Sequence, residues 1–348
     1  MNTSNLPYTG AAGITQGCAI HSAFPLTYGL ALQRSIDQRL YSREPYEGIG
    51  GWSSALNDHQ NSFLPYPLLS VGHTPVSEIP AISDYFGLSR LLIKDESYNP
   101  FGTHKDRKSY YAVQTSSNRC NPPDALCIIT AGNAGLSLAA FASQRQLPVI
   151  ALVGSLAPQV RLKLEHACER VLQLELQNKY WSSRELRQMV GSSQGRRVID
   201  ITNLAAPYQQ LANEIAPYEP DTIVLPVGGG ELFVGLAAGI RTLGLRTRLI
   251  GVTTTREDTL ADKLYAKWAP YRDRVYWLTG GGFAHQLFYL DDESTLGDTL
   301  KAVGQYIRCE FSSAVAFDIL RRLSFKATEK VMVLNTGAFR ENAWVDTT

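Results

Sequence analysis

The fold of this chain is decided in residues 91–107, which read LLIKDESYNPFGTHKDR. The apolar run at 91–93 predicts a buried strand. Asn99-Pro100 and Gly102 then predict a turn, and helix-compatible residues follow from Lys108. Lys105 is therefore expected at a strand–turn–helix junction, near the N-terminus of a helix.

This position favours a neutral amine on Lys105. The positive end of the helix dipole and the nearby Arg107 both disfavour a further positive charge, so they lower the pKa of the lysine. A neutral amine is what Schiff-base formation with an aldehyde requires. A lysine in a turn is more often a solvated side chain, so the catalytic interpretation depends on the rest of the chain.

Two glycine-bearing turns follow strand-like runs further along. The first is TAGNAG at residues 130–135, with a helix of small residues expected over 136–142. The second is the triple glycine at 228–230, with a helix expected from near Glu231. Glycines let backbone amides approach a ligand, and a helix N-terminus adds positive potential. The triple glycine predicts a phosphate cradle, although a tight turn packing a helix on a sheet explains it equally well.

A fourth motif stands near the C-terminus. The stretch 330–334, which is apolar after Lys330, predicts another buried strand, which ends in Asn335-Thr336-Gly337. A hydroxyl at the C-terminal end of a strand can hydrogen-bond the ring nitrogen of a ligand. Alone, the motif is more typical of a Ser/Thr turn.

Together and in this order, the four motifs resemble those of the tryptophan-synthase-β-like superfamily of pyridoxal-phosphate enzymes (fold type II), in particular threonine synthases. The resemblance covers roughly residue 63 onward. It is supported by Phe63-Leu64-Pro65, Gly72-His73-Thr74-Pro75-Val76, Lys94-Asp95-Glu96, Asn99-Pro100, Lys105-Asp106-Arg107 and Ser312-Ser313-Ala314. It implies an α/β fold with two parallel-sheet βαβ domains and the cofactor between them.

The resemblance also assigns roles. Lys105 would bind pyridoxal phosphate covalently and, once displaced by substrate, would move the Cα proton as base and acid. Asn133 would hydrogen-bond the 3′ oxygen of the ring, and Thr336 would face the ring nitrogen. The amides of Gly228, Gly229 and Gly230 would hold the phosphate. The residues expected to bind the substrate are Thr130, Ala131, Gly132 and Ala134.

His104 is ambiguous. Threonine synthases usually carry Phe at this position, whereas tryptophan synthase β chains carry His. The side chain either contacts the cofactor phosphate or is a packed histidine, and both interpretations stay open.

Two departures from the family pattern bear on the substrate. Ala131 and Ala134 replace hydroxyl residues that commonly hold the substrate carboxylate. Residues 202–210 lack the arginine and lysine that help threonine synthases bind the phosphate of their substrate. The general-acid glutamate of tryptophan synthase β chains would fall at or near Ile128.

Three functions therefore compete. The leading prediction is elimination or replacement on an amino acid with a β- or γ-leaving group, as in threonine synthases. A β-replacement synthase or β-lyase acting on a serine or cysteine derivative in specialised biosynthesis is the first alternative. A catalytically inactive relative that serves as an interaction protein is the second.

Composition limits the partners and the compartment that we expect for this protein. The 348 residues carry 33 basic and 32 acidic side chains, a net charge of +1, with no basic stripe, which argues against nucleic acid as a partner. The five cysteines are widely spaced and lack metal-ligand spacing, so free thiols and no metal are expected. No signal peptide or membrane span is evident, which predicts a cytoplasmic protein. The resemblance suggests a homodimer.

The domain organisation follows from alternating strand-like and helical stretches between about residues 90 and 255, which predict parallel βαβ units. We expect a small mobile domain at 108–200 and a large cofactor-binding domain formed by 1–107 and 201–348. Residues before about 60 have no counterpart in the family. The loop Gly280 to His285 is either a turn or an active-site loop in which His285 contacts the substrate.

Overall fold

A computed structural model describes most of the chain. The described residues are 71–116, 123–176, 181–190, 196–266, 271–280, 284–290 and 292–338. The Phe63-Leu64-Pro65 motif, the segment before residue 60, Cys18, Cys120 and residues 281–283 of the predicted loop lie outside them. All described residues belong to one unit that spans Leu64–Thr348.

The described residues form ten strands. These are β1 (Val76–Glu78), β2 (Leu91–Asp95), β3 (Ala125–Ile129), β4 (Val149–Val153), β5 (Arg170–Gln173), β6 (Val198–Asp200), β7 (Thr222–Pro226), β8 (Arg248–Thr253), β9 (Gln286–Tyr289) and β10 (Val331–Asn335).

Ten α-helices accompany the strands in the described part of the chain. They are α1 (Pro80–Tyr85), α2 (Lys105–Thr115), α3 (Asn133–Ser143), α4 (Pro158–Ala167), α5 (Ser183–Val190), α6 (Gln210–Ile215), α7 (Glu231–Thr242), α8 (Tyr271–Gly280), α9 (Leu296–Gly304) and α10 (Phe311–Asp318). Short 3-10 helices include Ala206–Gln209 and Asp262–Leu264.

The strands form two sheets. The larger has the order β1-β2-β10-β7-β8-β9, and only β1 is antiparallel to its neighbour. The smaller has the order β5-β4-β3-β6 and is parallel throughout. Parallel neighbours need crossover connections, and helices supply them here. The predicted α/β class with parallel βαβ units is confirmed.

Burial separates inner strands from edge strands. Every residue of β2, β3, β4, β7 and β10 is buried, which is typical of parallel strands covered by helices on both faces. The edge strands β5 and β9 are partly exposed. The carboxyl ends of the inner strands carry the four predicted motifs, as expected for ligand sites in α/β sheets.

Two helices begin earlier than the sequence predicts. Helix α2 begins at Lys105 instead of near Lys108, because the Asp106 amide already donates to Thr103 O at 3.1 Å. Helix α3 begins at Asn133 instead of Leu136, because the Thr130 hydroxyl binds the amide of Gly132 just before the helix and that of Gly135 in its first turn. In both cases a side chain or carbonyl outside the helix satisfies amides of its first turn.

The four strands of the smaller sheet all lie within residues 108–200. The division into a small domain at 108–200 and a large domain at 1–107 and 201–348 nevertheless stays a prediction. No helix in the described ranges is long and apolar enough to cross a membrane. Those ranges also hold no group of three or more His, Cys, Asp or Glu side chains able to bind a metal.

Candidate active site

The turn that carries Lys105 is tied to the end of β10. Thr103 and Gly337 form an isolated antiparallel bridge, and the amide of His104 donates to Thr336 O at 3.2 Å. Gly337 has a φ of +79°, and a Cβ there would stand 2.1 Å from Gly102 O. Only glycine permits so close an approach, which places the lysine turn beside Thr336.

The same turn is joined to α3 through a buried carboxylate. Asp106 accepts hydrogen bonds from the amide of Phe101 and from Ser137 Oγ, both at 2.7 Å. Burial raises the pKa of Asp106 to about 7, against the effect of these two bonds. Helix α3 begins at Asn133, so Asp106 fixes the lysine turn relative to the asparagine loop.

Lys105 has the lowered pKa that Schiff-base chemistry favours. Burial, followed by the positive charge of Lys108, lowers its pKa to about 8, while Glu231 and Glu310 oppose the change. Arg107, which the sequence placed beside the lysine, is directed elsewhere. The expected direction is therefore correct, but the neighbour named for it is wrong.

Arg107 instead joins a buried ion network beneath the turn. It donates to Glu96 at 2.6 and 2.8 Å and to Glu214 at 2.6 and 2.8 Å. Lys94 also binds Glu214, at 2.7 Å. Burial opposes ionisation of Glu214, but Arg107 and Lys94 together lower its pKa to about 2. Because the guanidinium of Arg107 is buried and paired with carboxylates, it positions the turn and is not directed at the amine of Lys105.

His104 has the contacts of a packed histidine. Its Nδ1 lies 3.3 Å from Thr336 O, and its ring centroid is 5.8 Å from that of Tyr208. Burial, followed by the charge of Lys105, lowers the pKa of His104 well below its usual value. The lowered pKa favours the neutral imidazole, and its contact with a phosphate stays a prediction.

Thr336 is held by a second hydroxyl. Thr336 Oγ1 lies 2.5 Å from Ser313 Oγ, and Ser313 Oγ donates to Gly337 O at 2.9 Å. Ser313 is in the first turn of α10, so this helix fixes the side chain at the end of β10. The neighbouring Ser312 Oγ is buried and has no hydrogen-bond partner among the described residues.

The triple glycine connects β7 to α7 in a place without room for side chains. A Cβ on Gly228 would stand 2.7 Å from Lys263 O. Gly230 has a φ of +98°, and its Cβ would stand 3.0 Å from the backbone of Tyr271. Within the described ranges, no acceptor binds the amides of Gly229 and Gly230. Free amides at a helix N-terminus form an anion-binding cradle.

Charged side chains surround this cradle. The carboxylate of Glu231 lies against Gly229, where a Cβ would stand 2.5 Å from its Oε2. Lys108 Nζ is 3.8 Å from the Oε1 of the same carboxylate. On the other side, Arg272 donates to Gly228 O at 3.0 Å.

The asparagine loop is organised by one hydroxyl. Thr130 Oγ1 accepts from the amides of Gly132 and Gly135, each at 2.9 Å. The predicted substrate contacts Thr130 and Gly132 are thereby engaged within the loop. The amides of Ala131, Asn133 and Ala134 have no acceptor among the described residues.

Asn133 faces a pair of charged residues. Its Nδ2 lies 3.4 and 3.3 Å from the two carboxylate oxygens of Glu310. The same carboxylate forms a salt bridge with Lys263. The pair is partly exposed, at 26% for Lys263 and 22% for Glu310, so a ligand can reach it.

His285 has a packing role. Its Nδ1 accepts from the amide of Leu249 at 3.1 Å, and its ring meets that of Phe233 edge-on at 6.0 Å. Burial lowers the pKa of His285. The side chain thus supports β8 where β9 begins, and the alternative in which it contacts the substrate finds no support in these contacts.

Several residues of the site were not anticipated from the sequence, and they include Glu231, Lys263, Glu310 and Ser313. Glu231 directly follows the triple glycine, and Ser313 belongs to a motif already noted, so local signals for both existed. Glu310 stands two residues before that motif. Lys263 lies in no motif, and only the tertiary structure brings it to Glu310.

Comparison with known proteins agrees with this geometry. A family described as "Pyridoxal-phosphate dependent enzyme" matches residues 68–337. A threonine synthase of Methanosarcina acetivorans is 24% identical over 195 residues, which are 52% of this chain and 45% of that enzyme's length.

Solved structures match the fold. An L-serine ammonia-lyase from Rhizomucor miehei has a TM-score of 0.60 and 18% identity, over 77% of this chain and 94% of that one. An O-ureido-L-serine synthase has a TM-score of 0.61 and 16% identity, over 80% of this chain and 92% of that one. At these identities the likeness concerns the fold alone.

Proposed function

The chain belongs to the family of pyridoxal-phosphate dependent enzymes of fold type II, and on this premise we propose that it catalyses elimination or replacement on an amino acid. The proposed leaving group is at the β or γ position, as in threonine synthases. The observation that carries the proposal is the amine of Lys105, which has a pKa lowered to about 8 at the start of α2, beside the end of β10.

The residues around Lys105 fit pyridoxal phosphate. The amides of Gly229 and Gly230 have no acceptor among the described residues, and a Cβ on Gly228 or Gly230 would crowd the backbone of Lys263 or Tyr271, which suits a phosphate. The Thr336 hydroxyl suits a ring nitrogen, to which it would donate its proton in place of Ser313 Oγ. When bound, the cofactor supplies an electron sink for bonds at the Cα of an amino acid.

The hydroxyl partner favours the proposed reaction class. A hydroxyl, unlike a carboxylate, does not hold a ring nitrogen in its protonated form, so the electron sink is weaker. A weaker sink suits reactions in which charge departs with a leaving group better than it suits transamination. Ser313 supports this role because it holds Thr336 at the end of β10.

Lys105 has a second role as proton carrier. Once the amine is released, a pKa near 8 places it close to neutral pH, where a group can both take and return a proton. Its Nζ would remove the Cα proton and later return a proton to the product. Glu231 and Glu310, which raise this pKa, keep it from falling further.

A β-replacement or β-elimination on a serine or cysteine derivative is the second candidate. Residues 202–210 contain no Arg or Lys. The Thr202 hydroxyl accepts from the amide of Ile129 at 2.8 Å, and Asn203 donates to Asp200 at 3.0 Å. These side chains already have hydrogen-bond partners within the fold. This disfavours a substrate with its own phosphate group, which would need cationic or several amide donors.

An inactive relative is the third candidate. Ala131 and Ala134 offer no hydroxyl to a substrate carboxylate, and the Thr130 hydroxyl is engaged within the loop. Such a protein would bind the cofactor without changing an amino acid. A homodimer, a cytoplasmic location and closure of residues 108–200 over the substrate stay predictions.

A visible absorption spectrum tests the proposal. The purified protein is compared with Lys105→Ala before and after addition of O-phosphohomoserine, O-phosphoserine, O-acetylserine, serine, threonine and cysteine. We expect a band of bound cofactor in the native protein, a shift with one amino acid, and neither in the variant. Phosphate release from O-phosphohomoserine would favour the threonine-synthase-like reaction over the second candidate. A band that no amino acid shifts would favour the inactive relative.

A further inference from the structure

Arg272 lies behind the glycine cradle. It is the second residue of α8 and its side chain is 5% exposed. One nitrogen donates to Gly228 O at 3.0 Å, to Thr253 Oγ1 at 2.8 Å and to Leu264 O at 3.4 Å. The others lie 3.3 and 3.4 Å from Tyr276 Oη. The guanidinium therefore connects the cradle, the end of β8 and the 3-10 helix at Asp262–Leu264.

The bond to Gly228 O sets the direction of the next amide. In a trans peptide the C=O and the following N–H point in opposite directions. Because Gly228 O points toward Arg272, the N–H of Gly229 points away from it. This is one of the two cradle amides that have no acceptor in the described part of the chain.

The charge of Arg272 is not balanced locally. No carboxylate of the described residues forms a salt bridge with it, and its partners are carbonyl and hydroxyl oxygens. A buried cation without a counterion is costly, and a cation in the first turn of a helix opposes the helix dipole. A bound dianion on the far side of the Gly228–Gly229 peptide would offset both costs.

The carboxylate of Glu231 is the reason why positive charge is needed near the cradle for an anion to bind. Its carboxylate lies beside Gly229 and repels an anion in the cradle. Lys108, which is 3.8 Å away, offsets one negative charge. A phosphate carries more than one, so a second cation near the loop is needed to favour its binding.

We infer that Arg272 is a positioning residue for the phosphate of the cofactor: it orients the amide of Gly229 toward the ligand and supplies positive charge from behind the cradle. The inference rests on the proposed role of Gly228, Gly229 and Gly230 in holding that phosphate. It predicts selectivity for the phosphorylated cofactor over the same ring without its phosphate.

Binding of two ligands to the full chain stripped of cofactor tests the inference. The dissociation constants of pyridoxal phosphate and of pyridoxal are measured for the native protein, Arg272→Met and Arg272→Lys. We expect Arg272→Met to lower the affinity for pyridoxal phosphate by about 10- to 100-fold, the value of a hydrogen bond to a charged group. The affinity for pyridoxal should change by less than about threefold, and Arg272→Lys should lie between.

Arg248→Met is the matched control. Arg248 donates to Thr222 Oγ1 at 2.6 Å and pairs with Glu329 at 2.8 Å, at the start of β8 and away from its carboxyl end. This variant should lower stability without changing the ratio of the two affinities.

The outcomes separate the inference from the proposed function. Equal losses for both ligands, or an unchanged ratio in Arg272→Met, would overturn the inference and leave a structural arginine. If Arg272→Met does not fold, an unchanged ratio in Arg272→Lys has the same meaning. If the native protein binds neither ligand, the proposed cofactor site itself fails, whatever the variants do.

Discussion

The two glycine-bearing loops look alike in sequence and differ in how they use their backbone. Both follow a buried parallel strand and begin a helix. In the loop at 130–135, one threonine hydroxyl binds the amides of Gly132 and Gly135. In the loop at 228–230, the amides of Gly229 and Gly230 have no acceptor among the described residues, and an arginine holds the carbonyl of Gly228.

The difference shows how glycine serves two purposes at the end of a strand. At 130–135 it permits a tight turn in which the Thr130 hydroxyl binds the amides of Gly132 and Gly135, and the turn presents the side chain of Asn133. At 228–230 it permits close approach by a ligand that must satisfy the amides itself. In the loop at 130–135 an internal hydroxyl braces the turn and so positions a side chain, whereas in the loop at 228–230 an arginine holds the carbonyl of Gly228 and the neighbouring amides can bind an anion.

The largest effect should come from adding a methyl group to the cradle. Gly228→Ala would place a Cβ 2.7 Å from Lys263 O, and Gly230→Ala would also force an L residue into a φ of +98°. The left-handed region alone costs about 1–2 kcal/mol, and the crowding adds to it. We expect pyridoxal phosphate affinity to fall about 100-fold by equilibrium binding.

Gly244→Ala is the control for backbone conformation. Gly244 has a φ of +64° just after the C-terminal end of α7, and no atom lies within 4 Å of the position that a Cβ would take. It should lower stability by about 1 kcal/mol and leave cofactor affinity unchanged. Equal losses of affinity in the cradle variants and in Gly244→Ala would contradict the comparison.

The next largest effect is expected on the free energy of unfolding, through the asparagine loop at 130–135. Thr130→Val keeps the shape of the side chain but leaves the amides of Gly132 and Gly135 without an acceptor in a buried place. Each unsatisfied donor costs about 1–3 kcal/mol, so chemical denaturation should show a loss of at least about 2 kcal/mol. Thr130→Ser, which keeps the hydroxyl, should recover most of it. A stable Thr130→Val would mean that the loop does not depend on this acceptor.

The pH dependence of cofactor attachment tests Lys105. Its pKa is lowered to about 8, so the neutral fraction of the amine rises with pH and approaches completeness above that value. The rate at which the stripped protein captures pyridoxal phosphate should rise about tenfold per pH unit between about pH 6 and 8, then level off. A rate that kept rising to about pH 10 would indicate an ordinary solvated lysine.

The smallest effects should come from the charges beside the cradle, and they should have opposite signs. Lys108 lowers the pKa of Lys105 and Glu231 raises it. Lys108→Gln should therefore move the capture profile to higher pH and slow capture at pH 7, whereas Glu231→Gln should move it lower and speed capture. Each change in rate should be about two- to fivefold. Shifts in the same direction would show that the two charges do not act through the lysine.

Much of the fold followed from short stretches of sequence. The apolar runs before Lys105, Asn133, Gly228 and Thr336 are all buried strands, as predicted, and the family and cofactor they indicated are confirmed. Helix starts were less accurate because side chains outside the helices, such as that of Thr130, determine where they begin. Of the two causes assigned to the lowered pKa of Lys105, the charge of Arg107 was wrong, because Arg107 pairs with Glu96 and with Glu214, which is 107 residues away in sequence.

The sequence by itself determined the elements of the site, because glycines, a turn lysine and a hydroxyl at a strand end have local backbone and chemical requirements. The tertiary structure alone decided which charged side chains surround these elements and which contacts fix them in place. Glu310 reaches Asn133, Lys263 reaches Glu310, and Arg272 reaches Gly228, from segments 44 or more residues away. Electrostatic interactions and burial depend on distance in space, and no local pattern encodes which distant side chains will share a buried place.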